Sequence, residues 1–329
     1  MASIHITIAC GDYDRTRAIA EGSVSVEGCE VTYLRLQPEE AFHRAFGHQE
    51  FDVTELSFSY YLIARSSGSW PYIGIPVFPS RMFRHSAIYI RTERGIERPE
   101  DLKGRVVGVP EYSMTAAVWV RGMLQDEYGV KPADIEWRTG GLEEPGRGEM
   151  LKVNLPSSLH VKRVEEKALS DMLSTGELDA LITARAPSCF TKGNPNVTRL
   201  FKDFRSAEKT YFAKTGLFPI MHLIGIRESL VERYPWIATS LYKAFRQAKA
   251  ACLADLDEVV ALPISLPWVS SEVEETKALM GENFWPYGVK ENGKTLEAIT
   301  RYSYEQGLSA RRLPVEELFV PATLGVFKI

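Results

Sequence analysis

Residues 75–91, IPVFPSRMFRHSAIYIR, decide how this chain is read. Two strand-like apolar runs, 75–78 and 87–90, flank a polar elbow that carries Arg81, Arg84 and His85 within five residues. A guanidinium offers a rigid donor fork that matches a carboxylate, and an imidazole exchanges a proton near neutral pH. A strand, an elbow and a second strand make a place to hold an anion beside the aromatic Phe83. The plainer alternative is a charged surface hairpin, whose exposed charges contribute little.

Upstream, residues 4–9 alternate as a strand, the turn GDYD follows, and 15–20 form a short helix with its first turn open to an anion. A strand at 29–36 and a helix at 38–46 come next. FDVTEL at 51–56 is a third strand, and it runs into Ser57 and Ser59 ahead of a helix over 60–66. Side chains there lie at the carboxyl edge of a parallel sheet, where open α/β sheets bind ligands. The same serines are also suited to capping that helix.

Downstream, RVVGV at 105–109 reads as a buried strand leading to PEYSMT and a helix over 116–127. Ser113 and Thr115 therefore stand at a helix start, as caps or as ligands for an anion, with Glu111 just before it. A strand at 135–138 ends in a glycine-rich loop holding Arg147, with neither the P-loop nor the dinucleotide spacing. A helix over 167–173 and the strand ELDALI (177–182) bring Arg185 to another strand end, and 197–200 adds a short apolar strand. FPIMHLIGI at 218–226 is a nearly continuous apolar run with His222 inside it, either a satisfied core histidine or a functional one. Helices follow over 228–234, 236–256, 271–280 and 295–306, and 316–320 looks like a docking tail. Strands and helices alternate throughout, which implies mainly parallel sheet with helices on both faces.

Composition bounds the function. The 329 residues are 45% hydrophobic and 25% charged, ordinary values for a globular chain. A net charge of −4 with no basic stripe argues against nucleic acid. The first residues read as a strand and not as a signal peptide, and no window suits a membrane span. Cys10, Cys29, Cys189 and Cys252 show no CxxC or zinc spacing, so reduced thiols and a cytoplasmic location are expected. The six histidines lack HxH and HExxH, and His43 and His48 are spaced too poorly to share a helix face, so no metal is expected.

Five phrases carry a resemblance: IACGDYDRTRAI (8–19), EFDVTELSFSYYL (50–62), IPVFPSRMFRHSAIYIR (75–91), GVPEYSMTAAVWVRG (108–122) and IEWRTGGLEEPGR (135–147). Together they resemble the bacterial 4,5-dihydroxyphthalate decarboxylases, most clearly over residues 8–185. The resemblance implies an α/β, two-lobed type 2 periplasmic-binding-protein-like fold with the ligand cleft between the lobes. Lobe one would be 1–88 plus 212–329 and lobe two 89–211, with crossings near 86–91 and 209–218.

It also implies non-oxidative loss of carbon dioxide from a hydroxylated aromatic dicarboxylate, with no organic cofactor. A ring hydroxyl para to the departing carboxylate would assist, because a bare aryl carbanion is inaccessible at neutral pH. His85 is the first choice for the proton donor and His222 the second, with Glu111 to orient a histidine or take the phenol proton. Arg81 and Arg84 would hold carboxylates, Arg147 or Arg185 would close from the second lobe, and Ser57, Ser59, Ser113 and Thr115 would supply hydrogen bonds. A binding protein for an aromatic or heterocyclic acid would use the same residues without chemistry. The expected partner is a small aromatic carboxylate, and a homo-oligomer is left open.

Overall fold

β-branched runs bounded by glycine or polar turns become strands, and these strands sort into separate sheets. The computed structural model describes residues 3–68, 70–262 and 264–325. In chain order the strands are β1 (Ile4–Cys10), β2 (Cys29–Arg35), β3 (Val53–Ser57), β4 (Tyr72–Arg81), β5 (Ile88–Arg91) and β6 (Val106–Val109). Then come β7 (Glu136–Thr139), β8 (His160–Arg163), β9 (Ala180–Ile182), β10 (Val197–Arg199) and β11 (Ile220–Arg227). One sheet has the order β2-β1-β3-β11-β4, the other β10-β5-β9-β6-β7-β8.

The helices are α1 (Asp14–Ala20), α2 (Pro38–His48), α3 (Phe58–Ser66), α4 (Thr115–Tyr128), α5 (Leu169–Thr175) and α6 (Ser188–Thr191). After them lie α7 (Phe204–Thr215), α8 (Glu228–Arg233), α9 (Ile237–Asp255), α10 (Val269–Met280) and α11 (Gly293–Glu305). The result is a two-lobed α/β fold built on two sheets. All strands of the second sheet fall between residues 88 and 199. That membership favours the proposed division into 1–88 with 212–329 and 89–211.

The sheets are more mixed than alternation alone implies. β1 runs parallel to β2 and β3, but β11 is antiparallel to both β3 and β4. Likewise β5 is antiparallel to β9 and β10, whereas β6 is parallel to β7 and β9. β5 and β11 are the first strands after each passage from one sheet to the other, and side-chain periodicity carries no record of strand direction.

The opening elbow is also shorter than its sequence suggests. β4 continues through Pro76 and Pro79 to Arg81, and residues 85–87 form one tight helical turn before β5. β4 is an edge strand, the place where a proline without an N–H is tolerated. Its ladder with β11 is irregular around His222, which pairs with Ser80, while Ile224 pairs with Ile75. The extra β4 residues bulge there, a device that re-aims neighbouring side chains.

α4 leaves the second sheet but packs on the first lobe. The indole Nε1 of Trp119 donates to the Ile220 carbonyl at 2.8 Å, and Arg121 Nε donates to Gln306 Oε1 at 2.7 Å. Gly122 permits the close crossing with α11, because a Cβ there would stand 2.4 Å from the Tyr302 ring. At the other end of the chain, the Leu318 carbonyl accepts from Tyr61 Oη at 2.6 Å, docking the tail against α3.

Candidate functional site

β3 reads VTELS and is buried along its whole length, so its one carboxylate must be paired. Glu55, with 0% exposure, accepts from the Gly11 amide at 2.8 Å, Tyr13 Oη at 2.7 Å and the Cys10 thiol at 3.4 Å. His222 Nδ1 lies 2.5 Å from Glu55 Oε1. Burial pushes the Glu55 carboxyl up, but His222, the Gly11 amide and Tyr13 outweigh it and hold it below the usual range. Burial and the Glu55 charge raise both Cys10 and Tyr13, so both remain protonated donors.

His222 stands on β11 opposite Ser57, the last residue of β3. Its side chain keeps 17% exposure, and Phe42 meets its ring edge-on at 4.8 Å. The pair therefore sits at the carboxyl edge of the parallel strands, where the sequence placed a ligand.

Two helix starts meet at the same edge. Ser57 Oγ and Thr115 Oγ1 are 2.9 Å apart, and the Ser59 amide donates to Thr115 Oγ1 at 3.1 Å. Neither serine caps α3 by its side chain, contrary to the capping alternative; Ser57 occupies the N-cap position but spends its hydroxyl across the lobes. The buried Ser59 hydroxyl has no partner among the described residues. The first amides of α3 and α4 thus adjoin one another, a positive environment suited to an anion.

Beside this edge lies a cavity of about 470 Å³ whose walls include Glu39, His43, Phe46, Glu111, Arg147 and Glu149. Arg147 Nε donates to Glu111 Oε1 at 2.5 Å, and Tyr60 Oη hydrogen-bonds the other Glu111 oxygen. Tyr60 Oη also reaches Glu149 at 3.1 Å, and Glu149 accepts the amides of Tyr112 and Ser113. One phenol proton cannot serve both carboxylates at once. Burial first, and Glu111 second, push the Glu149 carboxyl up.

The other candidates scatter. Arg84 donates Nε to Met221 Sδ at 3.2 Å and has no carboxylate within ion-pair distance among the described residues. Burial pulls its guanidinium down to about 10, against the attraction of Glu208. Arg81 is committed elsewhere: it donates to the carbonyls of Phe218 and Pro286, at 3.0 and 2.7 Å, and to the Asn292 side chain. Those bonds tie β4 to the segment before α11, and burial pulls Arg81 down to about 9.

His85 is enclosed. It is 1% exposed, with Phe201 and Tyr211 edge-on at 5.0 and 5.2 Å, and its Nδ1 has no hydrogen bond. Burial lowers it to about 4, so the imidazole is neutral at neutral pH. Arg185, 68% exposed, pairs with Glu39 at 2.7 Å and ties the second lobe to α2.

Glu55 and Tyr13 were not singled out from the sequence. The available signal was a carboxylate in FDVTEL that breaks the alternation by falling on the face of Phe51 and Val53. His43 and His48 do approach, with ring centroids 5.8 Å apart, despite their five-residue spacing. Among the described residues no group of three or more His, Cys, Asp or Glu side chains is arranged to hold a metal ion. All four cysteines are free, and no helix among the described residues is long and apolar enough to cross a membrane.

No family model matches the chain. A 4,5-dihydroxyphthalate decarboxylase from Comamonas testosteroni is 44% identical over 330 residues, covering 100% of both chains. The chain belongs to the 4,5-dihydroxyphthalate decarboxylase family. A second member of that family, from Pseudomonas putida, is 46% identical over 213 residues, 64% of this chain and 83% of its own. Family membership makes the chain a carboxy-lyase.

Solved structures show the fold of the family. The periplasmic aliphatic sulphonate binding protein SsuA from Escherichia coli matches with a TM-score of 0.53 at 11% identity, over 98% of this chain and 99% of that one. A periplasmic sulfonate-binding SsuA protein from Methylobacillus flagellatus gives 0.54 at 13% identity, over 98% and 94%. A DSZB variant in complex with biphenyl-2-sulfinic acid gives 0.54 at 14% identity, over 97% of each chain. The periplasmic-binding-protein-like architecture expected from the sequence is therefore the one observed.

Proposed function

We propose that the chain converts 4,5-dihydroxyphthalate to protocatechuate and carbon dioxide, without an oxidant, by protonating the ring carbon that bears the departing carboxylate. The observation that carries this reading is the exposed edge of His222 beside the joined starts of α3 and α4. The proton donor sits there next to a positive environment for a carboxylate.

In this reading Arg84 and the start of α4 hold the two carboxylates, and the unpartnered Ser59 and Ser113 hydroxyls lend further hydrogen bonds. Arg84 suits the task because no carboxylate among the described residues lies within ion-pair distance of it, Glu208 acting only from farther away. Glu111 accepts the proton of the hydroxyl para to the departing group, with Arg147 and Tyr60 orienting its oxygens. As that O–H bond breaks, ring electrons form a C–H bond with the proton from His222, giving a dienone. The C–C electron pair then returns to the ring, carbon dioxide leaves, and the phenol regains its proton. One proton is consumed per carboxylate lost. A positioned acid contributes about 10²–10⁴ in rate, and the rest comes from positioning and electrostatics.

His222 replaces His85 as the donor in this scheme, because an imidazole sealed between two rings reaches neither solvent nor ligand. The four free thiols fit a reducing cytoplasm.

Substrate analogues test the chemistry. The scheme requires a para hydroxyl, so 4-hydroxyphthalate should give 3-hydroxybenzoate and unsubstituted phthalate should be inert. Formation of 4-hydroxybenzoate, or turnover of phthalate, would contradict it.

A further inference from the structure

Building on His222 as the proton donor, we infer that Glu55 is its positioning residue: it fixes the proton on Nδ1, leaves Nε2 as the nitrogen that serves the substrate, and holds the ring in place for the transfer. The geometry carries the inference. Glu55 lies within a strand that is buried on both faces, where an ionised carboxylate is costly unless fully bonded. It is fully bonded. Gly11, Tyr13 and Cys10 donate three hydrogen bonds, and His222 occupies the remaining approach to Oε1. Nε2 of His222 makes no hydrogen bond to any described residue.

The surroundings decide the charge state. From β1 comes the Cys10 thiol, from the start of α1 the Tyr13 phenol, and from β2 the Tyr33 phenol. All three are raised by burial and stay neutral. From α2 only the Phe42 ring meets His222, and Ser57 and Ser80 flank it on β3 and β4. The nearby cation is Arg15, whose guanidinium lies 4.4 Å from the Tyr13 ring centre and is held by Pro79 and Asp14. Glu55 is thus the one anion bonded to His222. An ionised carboxylate on Nδ1 accepts the proton there and so fixes which ring nitrogen is left for the substrate. When Nε2 gives its proton to the ring carbon, the Nδ1 proton remains shared with Glu55, and solvent restores the Nε2 proton after carbon dioxide has left.

Three variants separate this role from a structural one: Glu55→Gln, Tyr13→Phe and, as control, His222→Asn. Glu55→Gln should lower kcat about 10–100-fold, the range typical of residues that orient a functional histidine, with KM little changed. Tyr13→Phe should lower kcat to a smaller extent, since Glu55 keeps its bond to His222 but loses one of the donors that hold it. Imidazole nitrogen NMR of the unliganded protein should report a protonated Nδ1 in the wild type and its loss in Glu55→Gln. If His222→Asn abolishes turnover while Glu55→Gln keeps the wild-type kcat and Nδ1 signal, the inference is overturned. If His222→Asn retains turnover, the donor assignment itself is wrong. Should Glu55→Gln fail to fold, Tyr13→Phe decides, and an unchanged kcat and Nδ1 signal in that variant counts against the inference.

Discussion

Ser57 Oγ and Thr115 Oγ1 lie 2.9 Å apart, joining the end of β3 in one lobe to the first residue of α4 from the other sheet. The bond brings the starts of α3 and α4 together across the two sheets. Thr115→Val keeps the side-chain shape but strands the Ser57 hydroxyl and the Ser59 amide. A loss of about 1–3 kcal/mol is expected, the penalty for leaving a buried polar group unpaired. Thermal unfolding should show it, and the double variant with Ser57→Ala should lose less than the sum of the two singles.

Arg84 and Arg81 should separate by phenotype. Arg84 carries a charge with no carboxylate partner, so Arg84→Ala should raise KM about 10–100-fold, in line with charge-assisted hydrogen bonds of about 1.5–3 kcal/mol. Arg84→Lys should recover only part of it, because the planar fork is lost. Arg81→Ala should instead lower the melting temperature and leave KM of the folded fraction near the wild-type value, since its donors hold Phe218, Pro286 and Asn292. Steady-state kinetics beside calorimetry checks both.

His85 gives the protein a built-in acid lability. Burial holds its pKa at about 4, below the ordinary imidazole value of about 6.5. Between those values the unfolded chain binds a proton that the folded chain refuses, so stability falls as pH drops from about 7 toward 4. Fully developed, the difference is worth about 3 kcal/mol. His85→Leu should therefore lose less melting temperature between pH 7 and pH 5 than the wild type does. An equal loss would show that another group drives the acid response.

Tyr60 links the helix start after β3 to the loop carrying Glu149. Tyr60→Phe removes its bonds to Glu111 and Glu149 and the acceptor used by the Met150 amide. Faster amide hydrogen exchange over residues 147–151 is expected, with a rise in KM larger than the fall in kcat. Unchanged exchange there would mean that the loop is held by the Tyr112 and Ser113 amides alone.

Much of the fold was legible because its core strands are short apolar runs such as VVGV and ALI, which period and flanking turns identify. β8 was missed because HVKR is polar and largely exposed, so no apolar pattern marks it. α7 carries its signals only at its ends: Asp203 caps it by accepting from the Ser206 amide at 3.1 Å, and Gly216 ends it with φ of 69°. Its apolar residues are too few to announce a face.

The site was legible in kind but not in membership. Clustering in sequence pointed to Arg81, Arg84 and His85, yet side chains on one elbow point in different directions, and the structure sends them to three environments. Convergence came from β1, β3 and β11, which are neighbours only after folding. Glu55 hid inside FDVTEL, where it breaks the alternation by falling on the face of Phe51 and Val53; its burial follows from β3 lying between β1 and β11.

The most direct measurement is incubation of purified, metal-stripped wild type and His222→Asn with 4,5-dihydroxyphthalate, following protocatechuate and carbon dioxide and measuring binding of the substrate by calorimetry. The account expects turnover by the wild type, a fall in kcat of about 10²–10⁴ in the variant, and similar affinity in both. Saturable binding without turnover by the wild type would contradict it and leave a small-molecule receptor on an enzyme's fold. Full turnover by His222→Asn would contradict the assignment of the proton donor.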